Sequence, residues 1–228
     1  SAQTLEALLT DILDLARIEA GRLEIRPEPF DLATSVNACA ALFEASAQAK
    51  DIELKVEIEP YALGMFEGDG PRIRQILSNL LGNAVKFTDR GEIWLMIAAS
   101  GPESRPHLTF TVKDTGKGIA EGAQDRVFGV FKQADDHTAR QYGGNGLGLA
   151  SCQRFADAMG ARLAVQSVAG AGSTFTLVAE FDRCDAADLP AVPPVAAVQP
   201  AARKLKALVV EDNDINQMVV QTYLEDMG

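Results

Sequence analysis

Residues 30–182 alternate between helical and strand periodicity, and this alternation constrains the fold more than any other feature of the sequence. The spacing of apolar residues predicts helices over residues 36–50, 71–88 and 147–159. Strand periodicity is found over residues 52–58, 93–99, 108–112, 162–167 and 173–181. Hairpins join the strands, which are segregated from the helices. The predicted fold class is therefore α+β, a two-layer sandwich of a mixed sheet and helices, rather than βαβ winding.

A separate helical pattern precedes this region, over residues 1 to about 26. Its apolar residues recur with 3-4-3 spacing at Leu5, Leu8, Ile12 and Leu15. Such a narrow seam is typical of a helix that pairs with another helix, although an ordinary surface helix remains the alternative. Pro27 and Pro29 end the pattern. Ser1 lies inside it, so we expect the chain to be a piece of a longer protein.

Two further segments follow the sandwich. Four prolines among alanines make residues 183–203 typical of an extended tether. An apolar strand pattern, an acidic cluster and an amphipathic helix follow in residues 204–228. The predicted boundaries are therefore 1–29 for the leading helix, 30–182 for the sandwich, 183–203 for the linker and 204–228 for the start of a further domain.

Composition excludes several classes of function. The net charge of −11 argues against nucleic acid as the main partner, because phosphate binding needs a positive surface. No apolar run approaches the roughly 20 residues that span a bilayer, and no signal peptide is visible, so we expect a cytoplasmic segment without membrane contact. The cysteines form no pairing motif and are expected to be reduced: Cys39, Cys152 and Cys184.

The helix predicted over residues 71–88 has two distinct faces. Its apolar stripe follows the spacing i, i+3, i+4, i+7, i+8, i+11 at Ile73, Ile76, Leu77, Leu80, Leu81 and Ala84. Asn79, Asn83 and Lys86 fall within about 60° of one another on an adjacent face. Amide oxygens suit Mg²⁺, and a lysine supplies a point charge for phosphate. The alternative is that these residues are only the solvated side of the helix.

The segment 114–119 (DTGKGI) follows a predicted strand whose apolar face is formed by Leu108, Phe110 and Val112. With period two, Asp114 continues on this inward face. A carboxylate aimed at a core is costly unless it is paired, and an adenine amino group is a suitable partner. Gly116 and Gly118 leave the backbone bare where another group approaches closely. Taken alone, the segment is equally compatible with a simple turn.

Two glycine-rich segments come later in the chain. Residues 143–150 (GGNGLGLA) lead into a helix, where free backbone N–H groups can bind phosphate oxygens. Neither the dinucleotide fingerprint nor a P-loop is present. We interpret the polar run 133–142 as a lid packed at its base by Phe128 and Phe131. Residues 170–175 (GAGSTF) precede a strand and by themselves indicate only a turn.

In this order the segments resemble the N, G1, F, G2 and G3 boxes of histidine kinases: NLLGNAVKFT (79–88), DTGKGI (114–119), FGVF (128–131), GGNGLGLA (143–150) and GAGSTF (170–175). The resemblance covers about residues 30–182. It implies the ATP-binding fold that histidine kinases share with DNA gyrase, mismatch-repair ATPases and a heat-shock chaperone. ATP and Mg²⁺ are the cofactors that it implies.

The resemblance also implies roles for matching positions. Asn83 would ligate Mg²⁺ with the assistance of Asn79 and Lys86, and Asp114 would accept a hydrogen bond from the adenine amino group. Phe87, Gly116 and Gly118 would surround the base, with Thr174 beside the adenine, and Gly144, Gly146 and Gly148 would contact the phosphates, with Arg140 toward the γ-phosphate. The remaining implied ATP-site residues are Ile119, Phe131, Leu147 and Leu149.

The flanking segments resemble other parts of the same architecture. Residues 11–25 resemble the second helix of the dimerisation and phosphotransfer hairpin, which implies a homodimer. Residues 208–220 resemble the opening of a receiver domain, in which Glu211 and Asp212 match an acidic pair that binds Mg²⁺. Together they imply a hybrid sensor histidine kinase that passes phosphate to its own or a separate receiver domain or phosphotransfer protein.

The acceptor histidine of the family lies on the first helix of the hairpin, and neither His107 nor His137 has that helical setting. ATP binding without normal autophosphorylation is therefore expected of this chain. An ATPase of the gyrase or chaperone type is one alternative, but Asn79 stands where the water-activating carboxylate would be, and an amide cannot act as a general base. A degenerate nucleotide-binding or scaffold module is the other alternative.

Overall fold

A computed structural model of the chain describes residues 23–124, 126–129 and 148–185. Its strands are β1 (Glu28–Asp31), β2 (Ile52–Ile58), β3 (Met65–Gly68), β4 (Gly91–Ser100), β5 (His107–Asp114), β6 (Arg162–Val168), β7 (Gly172–Glu180) and β8 (Asp182–Cys184). Its helices are α1 (Leu32–Gln48), α2 (Gly70–Phe87), α3 (Glu121–Gln124) and α4 (Gly148–Ala158), with a 3₁₀ turn at Pro60–Ala62.

The larger of the two sheets has five strands in the order β2-β4-β5-β7-β6. β2 runs parallel to β4, and the remaining neighbours are antiparallel. The mixed sheet confirms the predicted fold class. Two connections differ from the prediction of hairpins. The chain between β2 and β4 passes through β3 and α2 and returns in the parallel direction, and the chain between β5 and β6 includes α3 and α4.

The core lies between this sheet and the helices, so the domain has two layers. Alternate residues of β4, β5 and β7 are buried: Ile93, Leu95, Ile97, Leu108, Phe110, Val112, Phe175, Leu177 and Ala179. The predicted stripe of α2 faces them, and all of its members are buried. α1 and α4 pack against α2 on either side. Packing of the apolar stripe thus turns the polar residues of α2 toward the edge of the layer.

A second, three-stranded sheet in the order β1-β3-β8 has no counterpart in the sequence prediction. Its strands have only three or four residues, too few for a period of two to be recognised. Aromatic packing holds it together: the ring centroid of Phe30 lies 6.4 Å from that of Phe66 and 6.0 Å from that of Phe181. β1 begins two residues before the predicted boundary at 30, and β8 ends two residues after the predicted boundary at 182.

Capping residues explain where the helices begin. The carboxylate of Asp31 accepts a hydrogen bond from the Thr34 N–H at 2.6 Å, so α1 starts four residues before the predicted position. Asp69 caps α2 in the same way, with the Arg72 N–H 3.0 Å from Oδ1. Its other oxygen accepts the Arg26 N–H at 3.1 Å.

The helix predicted over residues 1 to about 26 does not extend over its last four residues. Residues 23–27 form neither helix nor strand, and the rest of that prediction lies outside the described residues. Pro27 disfavours helical geometry at Arg26, whose N–H instead donates to Asp69. The prediction was wrong at this end of the segment.

Arg183 in β8 connects the small sheet to two loops. Its guanidinium donates to the carbonyl oxygens of Leu63 at 2.6 Å and Tyr61 at 2.8 Å. A third bond reaches the Glu103 carbonyl at 3.2 Å. The guanidinium carbon also lies 4.8 Å from the centroid of the Phe66 ring. One side chain therefore joins the 3₁₀ turn, the loop between β4 and β5 and the aromatic cluster.

Replacing Arg183 by alanine should lower the free energy of unfolding by about 2 kcal/mol, since charged hydrogen bonds contribute about 1.5–3 kcal/mol and these are partly exposed. Urea denaturation followed by the fluorescence of Trp94 measures the change. Arg162→Ala, which removes an exposed arginine of β6, is the matched control and should change stability by less than about 0.5 kcal/mol. Equal losses in the two variants would contradict the role given to Arg183.

Candidate functional site

The polar face of α2 brings the three predicted residues to the edge of the helical layer, where all three are half-buried. The Asn79 Nδ2 lies 3.5 Å from the carbonyl oxygen of Gly148 and 3.5 Å from the Cys152 sulfur. Asn79 thereby joins α2 to the beginning of α4. The Asn83 side chain makes no hydrogen bond with any described residue, so its amide oxygen is available to a ligand.

Two lysines flank the aromatic ring at the end of α2. The Nζ atoms of Lys86 and Lys117 lie 5.0 Å and 4.5 Å from the centroid of the Phe87 ring. Burial lowers the pKa of Lys86, and the charge of Lys117 lowers it further. The Lys117 N–H donates to the Phe87 carbonyl at 3.2 Å, which ties the DTGKGI turn to the helix. The sequence predicted Lys86 and Phe87 as site residues but not Lys117.

Asp114 ends β5 on the buried face of the sheet, as its period predicts, and is only 6% exposed. Its Oδ1 accepts the N–H groups of Gly116 at 2.8 Å and Ser173 at 3.3 Å. Burial raises the pKa of the Asp114 carboxyl, and these two backbone bonds lower it in part. Among the described residues none donates to Oδ2. The carboxyl group of Asp114 is therefore held at the end of the sheet through Oδ1, and Oδ2 has no donor among the described residues.

The glycines of this region are required by close backbone approaches. A Cβ on Gly116 would collide with the Phe87 carbonyl and lie 2.9 Å from Asp114 Oδ1. Gly118 has φ of 65°, and a Cβ there would meet the Val168 carbonyl. The sequence predicted a bare backbone at 116 and 118, and the groups that approach these glycines belong to the protein itself.

Thr174, predicted beside the base, lies on the other face of the sheet from Asp114. It pairs with Lys113 in the register of β5 and β7, whereas Ser173 pairs with Asp114. Because residues directly opposite in an antiparallel pair share a face, Ser173, and not Thr174, lies on the same face of the sheet as Asp114. Phe175 and Leu177 of β7 point inward, and the same alternation along the strand predicts that Ser173 points inward as well.

Three further site residues are described. The Ile119 N–H donates to Ser167 Oγ at 2.8 Å, which fixes the end of the DTGKGI turn on β6. Gly148 and Leu149 open α4, and Leu149 is half-buried against the core. The other predicted residues lie outside the described residues: Phe131, Arg140, Gly144, Gly146, Leu147, Glu211 and Asp212, with His137.

Phe128 lies near the last described residue before the segment predicted to be a lid. Its ring packs edge-on against Phe175, with the centroids 6.4 Å apart. Phe128 is one of the two residues predicted to pack at the base of the lid, and the other, Phe131, lies outside the described residues. The predicted lid itself, residues 133–142, lies outside the described residues.

The described residues thus supply an acceptor at one end of the site and amides with a cation at the other. No cluster of three or more His, Cys, Asp or Glu side chains suited to a metal occurs in the part of the chain that the structure describes. A divalent ion would here depend on the Asn83 amide oxygen together with oxygens of a bound ligand, a donor set that suits Mg²⁺ rather than a transition metal.

A two-layer sandwich that holds an acidic acceptor opposite an asparagine-bearing helix defines a class of ATP-binding domain, and comparison with known proteins identifies its family. Residues 68–183 match the family described as "Histidine kinase-, DNA gyrase B-, and HSP90-like ATPase". The chain belongs to this family.

Similar proteins include sensor kinases. Hybrid signal transduction histidine kinase L of Dictyostelium discoideum is 39% identical over 80% of the chain, and virulence sensor protein BvgS of Bordetella bronchiseptica is 34% identical over the whole chain. A crystal structure of full-length ShkA in complex with AMPPNP superposes with a TM-score of 0.69 and 35% identity over 80% of the chain.

The alignments span 11% of the length of kinase L, 19% of BvgS and 37% of the ShkA chain. The described domain therefore corresponds to one part of much longer proteins. Its fold is that of the histidine kinase catalytic domain. No helix among the described residues is long and apolar enough to cross a membrane.

Proposed function

We propose that this chain binds Mg-ATP as the catalytic part of a hybrid sensor histidine kinase and directs the γ-phosphate to a histidine outside the chain. The observation that carries the proposal is Asp114, a buried carboxylate whose Oδ1 is bound by backbone and whose Oδ2 has no donor among the described residues. The amino group of adenine is a donor that fits this acceptor. The family and the AMPPNP complex of ShkA support the choice of nucleotide.

The polar face of α2 is the proposed position of the triphosphate. Asn83 would hold Mg²⁺ through its amide oxygen, and Lys86 and Lys117 would provide positive charge for phosphate oxygens. Burial lowers the pKa of Lys86, as noted above, and a triphosphate beside it would favour its charged form. The metal would supply neutralisation of charge that develops on the phosphates.

Phosphate transfer is favoured over ATP hydrolysis by the residue one turn before Asn83. This position is Asn79, whose amide donates toward Gly148 and Cys152 and which cannot take a proton from water. His107 is an unsuitable acceptor, because it is exposed at the start of β5 with its Nδ1 3.3 Å from Glu180. The acceptor would be a histidine of the dimerisation hairpin in the full-length homodimer.

The names of the relatives support the remaining parts of the proposal. Kinase L is called a hybrid kinase and BvgS a sensor protein. We assign residues 1–29 to the dimerisation hairpin, 30–182 to the ATP-binding domain, 183–203 to a linker and 204–228 to the start of a receiver, where Glu211 and Asp212 would bind Mg²⁺. Phosphorelay to this or another receiver, in the cytoplasm, completes the proposed function.

Calorimetric titration of the chain with a non-hydrolysable ATP analogue, with and without Mg²⁺, tests the proposal. We expect saturable binding with one nucleotide per chain, and tighter binding with Mg²⁺. Absence of binding under both conditions, in a chain that remains folded by circular dichroism, would leave a scaffold as the better interpretation.

A further inference from the structure

Three polar side chains form a row across neighbouring strands at the end of the large sheet. Asp114 of β5 pairs with Ser173 of β7, and Ser173 pairs with Ser167 of β6. Side chains of residues directly opposite in antiparallel strands share a face, so the row lies on the buried side. Asp114 and Ser173 are 6% and 7% exposed, and Ser167 is half-buried.

The hydrogen bonds of Ser167 fill its whole capacity. A serine hydroxyl has one donor hydrogen and two acceptor lone pairs. The Ser167 hydroxyl donates to the Gly172 carbonyl at 2.9 Å and accepts the Ile119 N–H at 2.8 Å. Its remaining contact is the Ser173 hydroxyl at 2.9 Å. Either hydroxyl could donate in this contact by geometry alone. With the hydrogen of Ser167 on the Gly172 carbonyl, which can only accept, Ser173 is the donor.

This assignment leaves the Ser173 hydroxyl with acceptor lone pairs only. The backbone N–H of Ser173 donates to Asp114 Oδ1, and the side chains of the paired residues Ser173 and Asp114 share the buried face of the sheet. Ser173 Oγ then has no hydrogen to offer a ligand, and the ionised form of Asp114 has none on Oδ2. The end of the row presents acceptors alone, a pattern that matches a 6-amino purine and opposes a 6-oxo purine.

We infer that Ser167 is a positioning residue for base selection: it fixes the Ser173 hydroxyl as an acceptor and so helps the site to reject 6-oxo purine nucleotides. The inference rests on the proposed function, since it concerns the same nucleotide site. It adds a residue outside the ATP-site set and a specific role for it. Its consequence is a change in selectivity rather than in affinity alone.

Binding of ATP and ITP to the full chain tests the inference, because ITP carries a 6-oxo group in place of the 6-amino group, together with an N1–H in place of the N1 lone pair. In Ser167→Ala the Ser173 hydrogen is free to turn toward the ligand and donate to that oxygen. We expect the ratio of the ITP to the ATP dissociation constant to fall about tenfold, because an opposed acceptor is replaced by a hydrogen bond. Any loss of packing weakens both nucleotides and cancels in this ratio.

Three variants complete the comparison. Ser167→Thr keeps the hydroxyl and should retain the ratio of the parent chain, and Ser104→Ala, an exposed serine in the loop between β4 and β5, should do the same. Ser173→Ala removes the opposed acceptor, so it should lower the ratio in the same direction and keeps the test decisive if Ser167→Ala does not fold.

The outcomes distinguish a failure of the proposed function from a failure of the role given to Ser167. A parent chain that binds neither nucleotide overturns the proposed function and this inference with it. A parent chain that binds ATP, while a folded Ser167→Ala keeps the parent ratio or Ser173→Ala fails to lower it, overturns the role of Ser167 alone. A fall in the ratio that Ser167→Thr restores supports that role.

Discussion

Replacing Asp114 by asparagine should weaken ATP binding by about 10–100-fold, because a hydrogen bond to a charged group in a buried site contributes about 1.5–3 kcal/mol. The Asn oxygen can still accept the N–H groups of Gly116 and Ser173, which now bond Oδ1. Its NH₂ group would take the place of Oδ2 and oppose the donor of the base. The variant thus changes the contact with the ligand and keeps the internal bonds.

Calorimetry with an ATP analogue measures the loss, and thermal unfolding of the ligand-free chain serves as its control. Asp157→Asn on the exposed side of α4 is a matched substitution that should leave the affinity unchanged. An Asp114→Asn variant that is folded and binds with the affinity of the parent would refute the role of the carboxylate.

The raised pKa of Asp114 predicts that the stability of the ligand-free chain depends on pH. Burial raises the pKa of Asp114 in the folded chain above its ordinary value of about 3.9. The contribution of Asp114 to the stability of the folded chain is therefore largest when the pH is below the unfolded pKa. It is lost as the pH rises from the unfolded pKa to the folded pKa. Above the folded pKa the ionised carboxylate is a cost to the ligand-free fold, so Asp114→Asn should not lower its melting temperature there.

The site could be predicted from the sequence where one strong period controls the direction of a side chain. Asp114 continues the inward period of β5, and the polar face of α2 follows from its buried stripe. Both depend only on residues close in sequence. The sequence therefore led to the two surfaces between which the ligand is proposed to lie.

Contacts made by the fold itself were harder to predict. Lys117 reaches Phe87 only because the turn after β5 bonds the end of α2, across a separation of 30 positions that no local pattern records. The prediction of Thr174 instead of Ser173 rested on the family motif and not on the alternation of inward residues along β7. That alternation, followed back from Phe175, already indicated Ser173, and the register with β5 confirms its position beside Asp114.

The small sheet could not be predicted for a different reason. β1, β3 and β8 contribute three or four residues each, and their stability depends on Phe30, Phe66 and Phe181 meeting from distant parts of the chain. A strand of this length is specified by its tertiary partners and not by its own pattern. The sheet nevertheless matters to the site, because β3 leads directly into Asp69, which caps the helix that carries Asn83.

The two asparagines of α2 differ in what remains for a ligand. The Asn79 amide already bonds toward Gly148 and Cys152, whereas the Asn83 side chain has no hydrogen bond to any described residue. The metal should therefore depend on Asn83, and Asn79 should act mainly by holding α4 against α2. This division of roles makes Asn83→Ala the more informative substitution.

Asn83→Ala should abolish the dependence of nucleotide binding on Mg²⁺. We expect the parent to bind the ATP analogue about tenfold or more tightly with the metal, a difference of about 1.4 kcal/mol or more, and the variant to bind equally with and without it. Alanine favours helix, so α2 should stay intact, and Asn37→Ala on the exposed face of α1 is the matched control. A parent chain whose affinity is the same with and without Mg²⁺ would contradict the proposed metal site, and a variant that keeps the full effect of the metal would move that site to another ligand, with the Asn79 oxygen as the first to test.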